Sequence, residues 1–370
     1  MAGSPLVCTF GMFILDQFRY EDICPSDASV NDRITEQIGG GGTYTTVGAR
    51  MFLSPSKLLM IVDRGHDWKH YGWVQEKLDS YGAEAWHYRE DTTRETTKAL
   101  NIYRLDGSRG FQYLTPRRRL SPLDLLSLSP PLPSLPRFLH FICSPTRALT
   151  IISEISSIRG SSSTKYPNWD PVLVYEPIPD CCTPEELASL QDGIKKVAVF
   201  SPNHLEAANF FFPSSQLPFP SSSHFREVIE EVAERFVNMG LGTETTRGGG
   251  DVVVRCGEHG AFVRRRDGKK AWIAPYWTSL SPAEEKEKIV DVTGAGNGFL
   301  GGLMAAFAKQ LEEGNELDIF HAVRAGSVSA SFIIQQYGLP ALSQEEGGAE
   351  NWGDLEPRSA ERRLEEMRCR

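Results

Sequence analysis

The run Val290-Asp291-Val292-Thr293-Gly294-Ala295-Gly296-Asn297 leads directly into Gly298-Phe299-Leu300-Gly301-Gly302. Glycines let backbone N–H groups turn inward without Cβ clashes. The apolar spacing that follows predicts a helix from Asn297. The N–H groups would then lie at a helix N-terminus, where the macrodipole favours negative charge. Gly294, Ala295 and Gly296, after Thr293, thus form a candidate anion hole for a phosphate in transfer. Asn297 stands where a phosphotransferase needs a carboxylate to take the proton of an attacking hydroxyl, which an amide cannot do. The same glycines would also suit close packing of a helix on a sheet.

Four more runs carry chemistry-bearing types. Asn203 and Glu206, in Ser201-Pro202-Asn203-His204-Leu205-Glu206-Ala207, share one face of a helix that starts just after an apolar strand. Oxygen ligands of this kind suit Mg²⁺, usually through water. The pair also suits an N-cap with a dipole-favoured acid. Gly39-Gly40-Gly41-Gly42-Thr43-Tyr44 allows backbone to approach a ligand, or simply makes a loop. Asp16 follows Gly11 at the end of the first strand, where ligands of open α/β sheets bind, and one acid there can accept from two hydroxyls. Arg255-Cys256-Gly257-Glu258-His259-Gly260 reads as a Gly-x-x-Gly turn between a strand and a hairpin. His66 and His70 have zinc-like spacing but no third ligand in the motif. Arg117-Arg118-Arg119 reads as a solvated loop, and Arg264-Arg265-Arg266 with Lys269-Lys270 as a hairpin tip.

Taken in order from Leu6 to Pro340, these runs resemble the pfkB (ribokinase-like) carbohydrate kinase family. Asp291, Thr293, Gly294, Ala295, Gly296, Phe299, Gly301 and Gly302 match its second signature, and Asn297 replaces its catalytic Asp. A small fungal branch, the maintenance-of-killer type, is similar in carrying Asn there. The glycine run resembles the first signature, with Tyr44 at that signature's Asn. The resemblance implies ATP and Mg²⁺, with a monovalent cation near Asp291. It implies that Asp16, Gly40, Gly41 and Tyr44 meet the substrate, and that Gly257, Gly260 and Thr293 meet the nucleotide. Asn203 and Glu206 would organise the metal. Arg324 to Gln336, followed by Tyr337-Gly338-Leu339-Pro340, would border the adenine. The implied fold is a three-layer α/β/α sandwich with a mostly parallel sheet and a small β-lid built from 17–37 and 84–115, through which two copies could pair. The implied activity is phosphoryl transfer from ATP to a hydroxyl of a sugar, nucleoside or related small molecule. Asn297 opens the alternative of an inactive pseudokinase that binds a ligand or a regulatory partner.

The elements that must position these residues are legible in the patterning. Leu6–Leu15, Leu58–Val62, Phe138–Ile142, Val172–Tyr175, Val197–Phe200 and Asp251–Val254 are short and apolar, as strands buried on both faces are. Helical patterns lie between them: Tyr71 to Tyr81 with Gly82 at its end, a capping box at Thr183-Pro184-Glu185-Glu186, Phe225 to Phe236 ending at Gly240, and Leu317 to Gln336. Strand–helix alternation implies an α/β fold with a parallel sheet covered on both faces. The Pro/Ser stretches 121–136 and 213–223 read as loops, and a translated intron would have the same composition. The reading is one domain over 1–341, with 342–370 as a charged tail or peripheral helix outside the core.

Composition sets limits. The chain has 370 residues, 40% hydrophobic and 24% charged, which is ordinary for a globular protein. A net charge of −9, from 39 basic and 48 acidic residues, argues against a general nucleic-acid grip. Seven cysteines without a C-x-x-C spacing fit a reducing compartment, and a cytoplasmic location is expected. No signal peptide is expected, and no apolar stretch reaches the roughly 18 residues of a membrane span.

Overall fold

The computed structural model describes residues 4–20, 35–103, 109–161, 165–212, 224–246, 248–345, 348–353 and 358–369. In chain order the strands are β1 (Val7–Thr9), β2 (Ile14–Tyr20), β3 (Thr35–Gly39), β4 (Leu58–Gly65), β5 (Trp86–Asp91), β6 (Lys98–Tyr103), β7 (Arg109–Tyr113), β8 (Phe138–Cys143), β9 (Val172–Pro177), β10 (Val199–Phe200), β11 (Asp251–Arg255), β12 (Ala261–Arg265), β13 (Lys270–Ile273), β14 (Leu342–Gln344) and β15 (Glu350–Trp352). The helices are α1 (Gly41–Arg50), α2 (Gly72–Asp79), α3 (Pro145–Gly160), α4 (Leu187–Ile194), α5 (His204–Asn209), α6 (Phe225–Asn238), α7 (Pro282–Lys288), α8 (Ala295–Glu312), α9 (Ile319–Ile333) and α10 (Ala360–Arg368).

Nine strands form one sheet in the order β13-β12-β11-β10-β9-β8-β1-β4-β5. From β11 to β5 the neighbours are parallel, and only β12 runs against the rest, antiparallel to both β11 and β13. One face is covered by α1, α8 and α9, with Val47, Leu300 and Val328 fully buried. The other is covered by α3, α4 and α6, with Ile151, Leu190 and Phe236 at the contact. This is the three-layer α/β/α sandwich. Two close approaches bring α1 and α8 together: a Cβ at Gly48 would stand 2.2 Å from Gly298 O, and one at Gly301 would stand 2.0 Å from Thr45 O. Part of the glycine content therefore does serve packing.

Four strands, in the order β3-β2-β6-β7, make a small separate sheet in which β2 and β6 are parallel. Here the structure corrects the expected single strand Leu6–Leu15. The chain leaves the large sheet after Thr9 and enters the small one at Ile14, and Gly11 N–H turns back to Thr9 Oγ1 at 3.0 Å. Both halves are buried, so hydrophobicity does not mark the break. The stretch 84–115 also divides, because β5 pairs with β4 in the large sheet and only β6 and β7 enter the small one.

Three further differences have local causes. Thr183 makes no capping bond; Pro184–Glu186 form a 3-10 turn and α4 starts only at Leu187. The stretch 121–136 is a loop apart from the 3-10 turn Pro122–Ser127, yet Leu125, Leu128 and Leu135 are buried in the core; 213–223 lie outside the described residues. The C-terminal segment joins the core. Trp352 stacks on Tyr81 at 5.7 Å, and Ala360, Leu364 and Met367 are buried. The Arg363 guanidinium is fully buried over the Phe332 ring at 3.6 Å, donating to Ser331 Oγ and Gln335 Oε1 at 2.8 Å each. Among the described residues, no helix is long and apolar enough to cross a membrane.

Candidate active site

The N-termini of α1 and α8 meet at the carboxyl ends of the parallel strands, where open α/β sheets bind ligands. Gly294 caps α8 with φ 78°, in the left-handed region that favours glycine. Its Cα rests on the Tyr44 ring, where an added Cβ would lie 2.3 Å from Cγ. Asp291 Oδ1 shapes the approach by accepting from Thr293 N at 3.0 Å and from Thr293 Oγ1 at 2.8 Å. The helix begins at Ala295, two residues before the predicted start, so Asn297 sits in its first turn. The N–H groups of that turn lie outside the helical ladder and can bind an anion.

Asn297 is fixed by a partner that sequence reasoning missed. Its Nδ2 donates to Glu176 Oε2 at 2.7 Å. The bond to Glu176 assigns the amide nitrogen and leaves Oδ1 as its acceptor, with the whole amide lying against Gly41. Glu176 ends a buried polar chain across the sheet. Gly11 N–H donates to Thr9 Oγ1, and Thr9 Oγ1 lies 2.9 Å from His140 Nδ1. His140 Nε2 lies 3.1 Å from Glu176 Oε2. Thr45 Oγ1 donates to Gly41 O at 2.8 Å, so the Thr9 hydroxyl serves His140 Nδ1 and the Nε2 proton goes to Glu176. From the far side, Arg255 Nη2 pairs with Glu176 Oε1 at 2.8 Å, donates to Ser201 O at 3.1 Å, and lies 3.6 Å from Glu206 Oε2. Burial alone would raise the Glu176 carboxyl, but Arg255, His140 and Asn297 together hold it below its ordinary range. The signal was present: Thr9, His140 and Glu176 are polar or charged residues in otherwise apolar strands, and Arg255 ends the apolar run Val252–Val254.

Arg255 also reaches the turn. A Cβ at Gly296 would stand 1.9 Å from Arg255 Nη1, so glycine is what lets the guanidinium lie against the first turn of α8. Arg255, Gly257, Gly260, Gly296, Phe299 and Ser331 are among the residues that line a cavity of about 420 Å³ on this side. Ala330 and Ile334, on and just after α9, close it. Thr293 does not line it, because its hydroxyl is turned to Asp291.

On the opposite side of Asn297 lies a second cleft, of about 340 Å³, that includes Gly11, Met12 and Gly41. Gly40, with φ 91°, caps α1, so the glycine run is a helix start rather than a loop. Tyr44 is buried and lines neither cavity. Asp16 is buried on β2 against Gly39, and its Oδ1 has no hydrogen-bond partner among the described residues. Desolvation pushes its carboxyl up to about 7 against the pull of Asn101 and the Gly40 backbone.

Asn203 and Glu206 form a reciprocal capping box: Asn203 N donates to Glu206 Oε2 at 2.7 Å, and Glu206 N donates to Asn203 Oδ1 at 2.8 Å. Burial pushes the Glu206 carboxyl up to about 7, against the lowering influence of Arg255. Gly257 and Gly260 form the expected turn, with φ 54° and 82°. The turn of α8, the Asn203–Glu206 box and the Gly257–Gly260 turn thus converge around Arg255. Gly41, which lines the second cleft, lies against Asn297, whereas Asp16 lies against Gly39 and lines neither cavity.

A glycine-capped helix turn beside a cavity, at the carboxyl edge of a parallel sheet and next to a small four-stranded sheet, is the arrangement that the ribokinase-like resemblance implies. Residues 163–345 match the profile described as "pfkB family carbohydrate kinase". Protein MAK32 of Saccharomyces cerevisiae is 30% identical over 344 residues, covering 90% of this chain and 86% of that protein. The uncharacterised protein C16C9.01c of Schizosaccharomyces pombe is 30% identical over 356 residues, covering 93% and 88%. The chain belongs to the pfkB family of carbohydrate kinases, on the branch that includes MAK32. The fold is similar to that of the ribokinase from Cryptococcus neoformans solved in complex with ADP, with a TM-score of 0.61 at 16% identity over 91% of this chain and 95% of that one.

Proposed function

We propose that this protein binds ATP in the cavity beside Arg255 and places its terminal phosphate at the α8 turn, facing a hydroxyl of a sugar, nucleoside or related small molecule. The observation that carries the reading is the turn Gly294–Asn297, with Gly296 lining a cavity of about 420 Å³ and Asn297 lying against Gly41 of the second cleft. The first-turn N–H groups and Arg255 would hold phosphate oxygens, since positioning and electrostatics provide most of the rate in phosphoryl transfer. Asp16 would accept from acceptor hydroxyls, and Asn297 Oδ1 would orient the reacting one without taking its proton. The oxygens of Asn203 and Glu206 that face each other are already used in the capping box, which supports holding Mg²⁺ through water. When bound, the metal supplies charge neutralisation at the phosphates.

Absence of a base at position 297 costs about 10²–10⁴-fold in rate. A pseudokinase is favoured by one observation: both oxygens of Glu176, the nearest carboxylate described, are taken by Arg255, His140 and Asn297. A cytoplasmic location is supported by six free cysteines among the described residues. Pairing of two copies through the small sheet is supported by Phe111 and Leu114, exposed on and just after its edge strand β7.

The test is nucleotide binding read beside turnover. Mg-ADP at about 100 times its Kd should stabilise the chain by roughly 2.7 kcal/mol. ADP release with a panel of sugars and nucleosides then separates a slow kinase from a binding protein. No stabilisation by either Mg-ATP or Mg-ADP would sink both readings. Glu206→Gln should weaken the Mg²⁺-dependent part of the response; an unchanged metal dependence would remove Glu206 from the metal's surroundings.

A further inference from the structure

The Arg117-Arg118-Arg119 run is an exposed loop, as its composition predicts. Its side chains divide. Arg118 pairs with an acidic group outside the cleft, reaching Asp63 and Asp91 at 3.4 Å and Asp124 at 4.0 Å. Arg117 and Arg119 instead line the cleft beside Gly41, and neither has a carboxylate partner among the described residues. Arg117 lies over the Tyr113 ring at 4.9 Å. Arg147 enters the same cleft from the first turn of α3, its Nη2 directed to Leu120 O at 3.4 Å. Asp180 is the one carboxylate among the described lining residues. Three guanidiniums facing one cleft repel one another, and each offers planar, forked donors matched to phosphate and carboxylate. The sixteen-residue helix α3, capped by Ser144, adds its positive end to the same wall. Gly41 joins this wall to the reacting position, since a Cβ there would lie 3.2 Å from Asn297 Nδ2.

We propose that the acceptor molecule of this site carries an anionic group, a phosphate or a carboxylate, held by Arg117, Arg119 and Arg147 while its hydroxyl lies beside Gly41 and Asn297. This rests on the acceptor half of the reading above and extends it from a neutral sugar to an acidic or phosphorylated one. Arg118 serves the architecture and not the ligand. The neutral amide at position 297 suits such an acceptor, because it brings no second negative charge to the cleft.

Calorimetric titration of the full chain with matched probes tests this. Ribose is set against ribose 5-phosphate, and glucose against glucose 6-phosphate and glucuronate, which separates the phosphate arm from the carboxylate arm. At least one anionic probe should bind more than about tenfold tighter than its neutral partner, with affinity falling as salt rises. Arg117→Gln with Arg119→Gln should remove that preference, whereas Arg118→Gln should keep it. Equal binding of neutral and anionic probes, binding of none, or a preference that survives in the double variant would overturn the proposal. ADP affinity, measured on the same samples, reports separately: its absence in the unmodified protein would sink the nucleotide reading, and its retention in the double variant shows that the site is intact.

Discussion

Position 297 carries an amide, and the nearest carboxylate described stands one hydrogen bond away at Glu176. This arrangement dictates what Asn297→Asp will do. Two carboxylates would meet at the present 2.7 Å contact, so one must keep a proton and its folded pKa rises. A raised folded carboxyl pKa costs its full amount above that pKa, and the cost shrinks as pH falls from there to the unfolded value near about 4. The variant should be less stable than the natural protein at pH 8 by about 1–3 kcal/mol, with the gap closing towards pH 5. Urea unfolding across that range reads this directly, and a pH-independent gap would show that the carboxylates do not meet. Adding Glu176→Gln should restore stability and leave one carboxylate on the turn. If the missing base limits a true kinase, only the double variant gains turnover, by up to about 10²–10⁴-fold.

At the scale of elements, the C-terminal helix packs behind the wall of the cavity beside Arg255. Arg363 on α10 lies 4.9 Å over Tyr276 and 5.1 Å over Trp277, and both aromatics line that cavity. Arg363→Ala should cost about 3 kcal/mol, from two charge-assisted hydrogen bonds and lost cation–π contact. The neighbouring Arg362, whose side chain is 71% exposed, should change stability by no more than about 0.5 kcal/mol on the same substitution. Urea midpoints of the two variants decide, and equal midpoints would mean that α10 is not docked. The apolar stripe Ala360, Leu364, Met367 was legible at helical spacing. High charge concealed it, because an Arg that buries its full length looks the same in sequence as one that is solvated.

For the whole molecule, buried acids set the pH response. The Asp16 and Asp251 carboxyls are pushed up by burial, to about 7 and about 6. The folded state then holds protons that the unfolded chain has released, so stability falls as pH rises from about 4 through 7. Glu176 and Asp67 are held low, so their stabilisation is lost as pH falls below about 4. Thermal midpoints should therefore peak near about pH 5, and Asp16→Asn should flatten the alkaline limb. A midpoint that climbs steadily to pH 8 would contradict the burial of these acids.

The sequence by itself determined the parallel strands, the helices between them, the glycine turn at the start of α8 and the family. Each rests on residues adjacent in the chain, where periodicity, glycine placement and capping act locally. It also placed an amide at the base position. What only the tertiary structure decided is what surrounds that amide. Thr9, His140, Glu176 and Arg255 come from four strands and meet because β1, β8, β9 and β11 end at one edge of the sheet. The break of the first apolar run into two sheets, the docking of α10 and the separate orientations of Arg117, Arg118 and Arg119 are likewise set by packing partners far away in sequence. A charge's role depends on which charges face it. That depends on long-range contacts, and no local pattern encodes them.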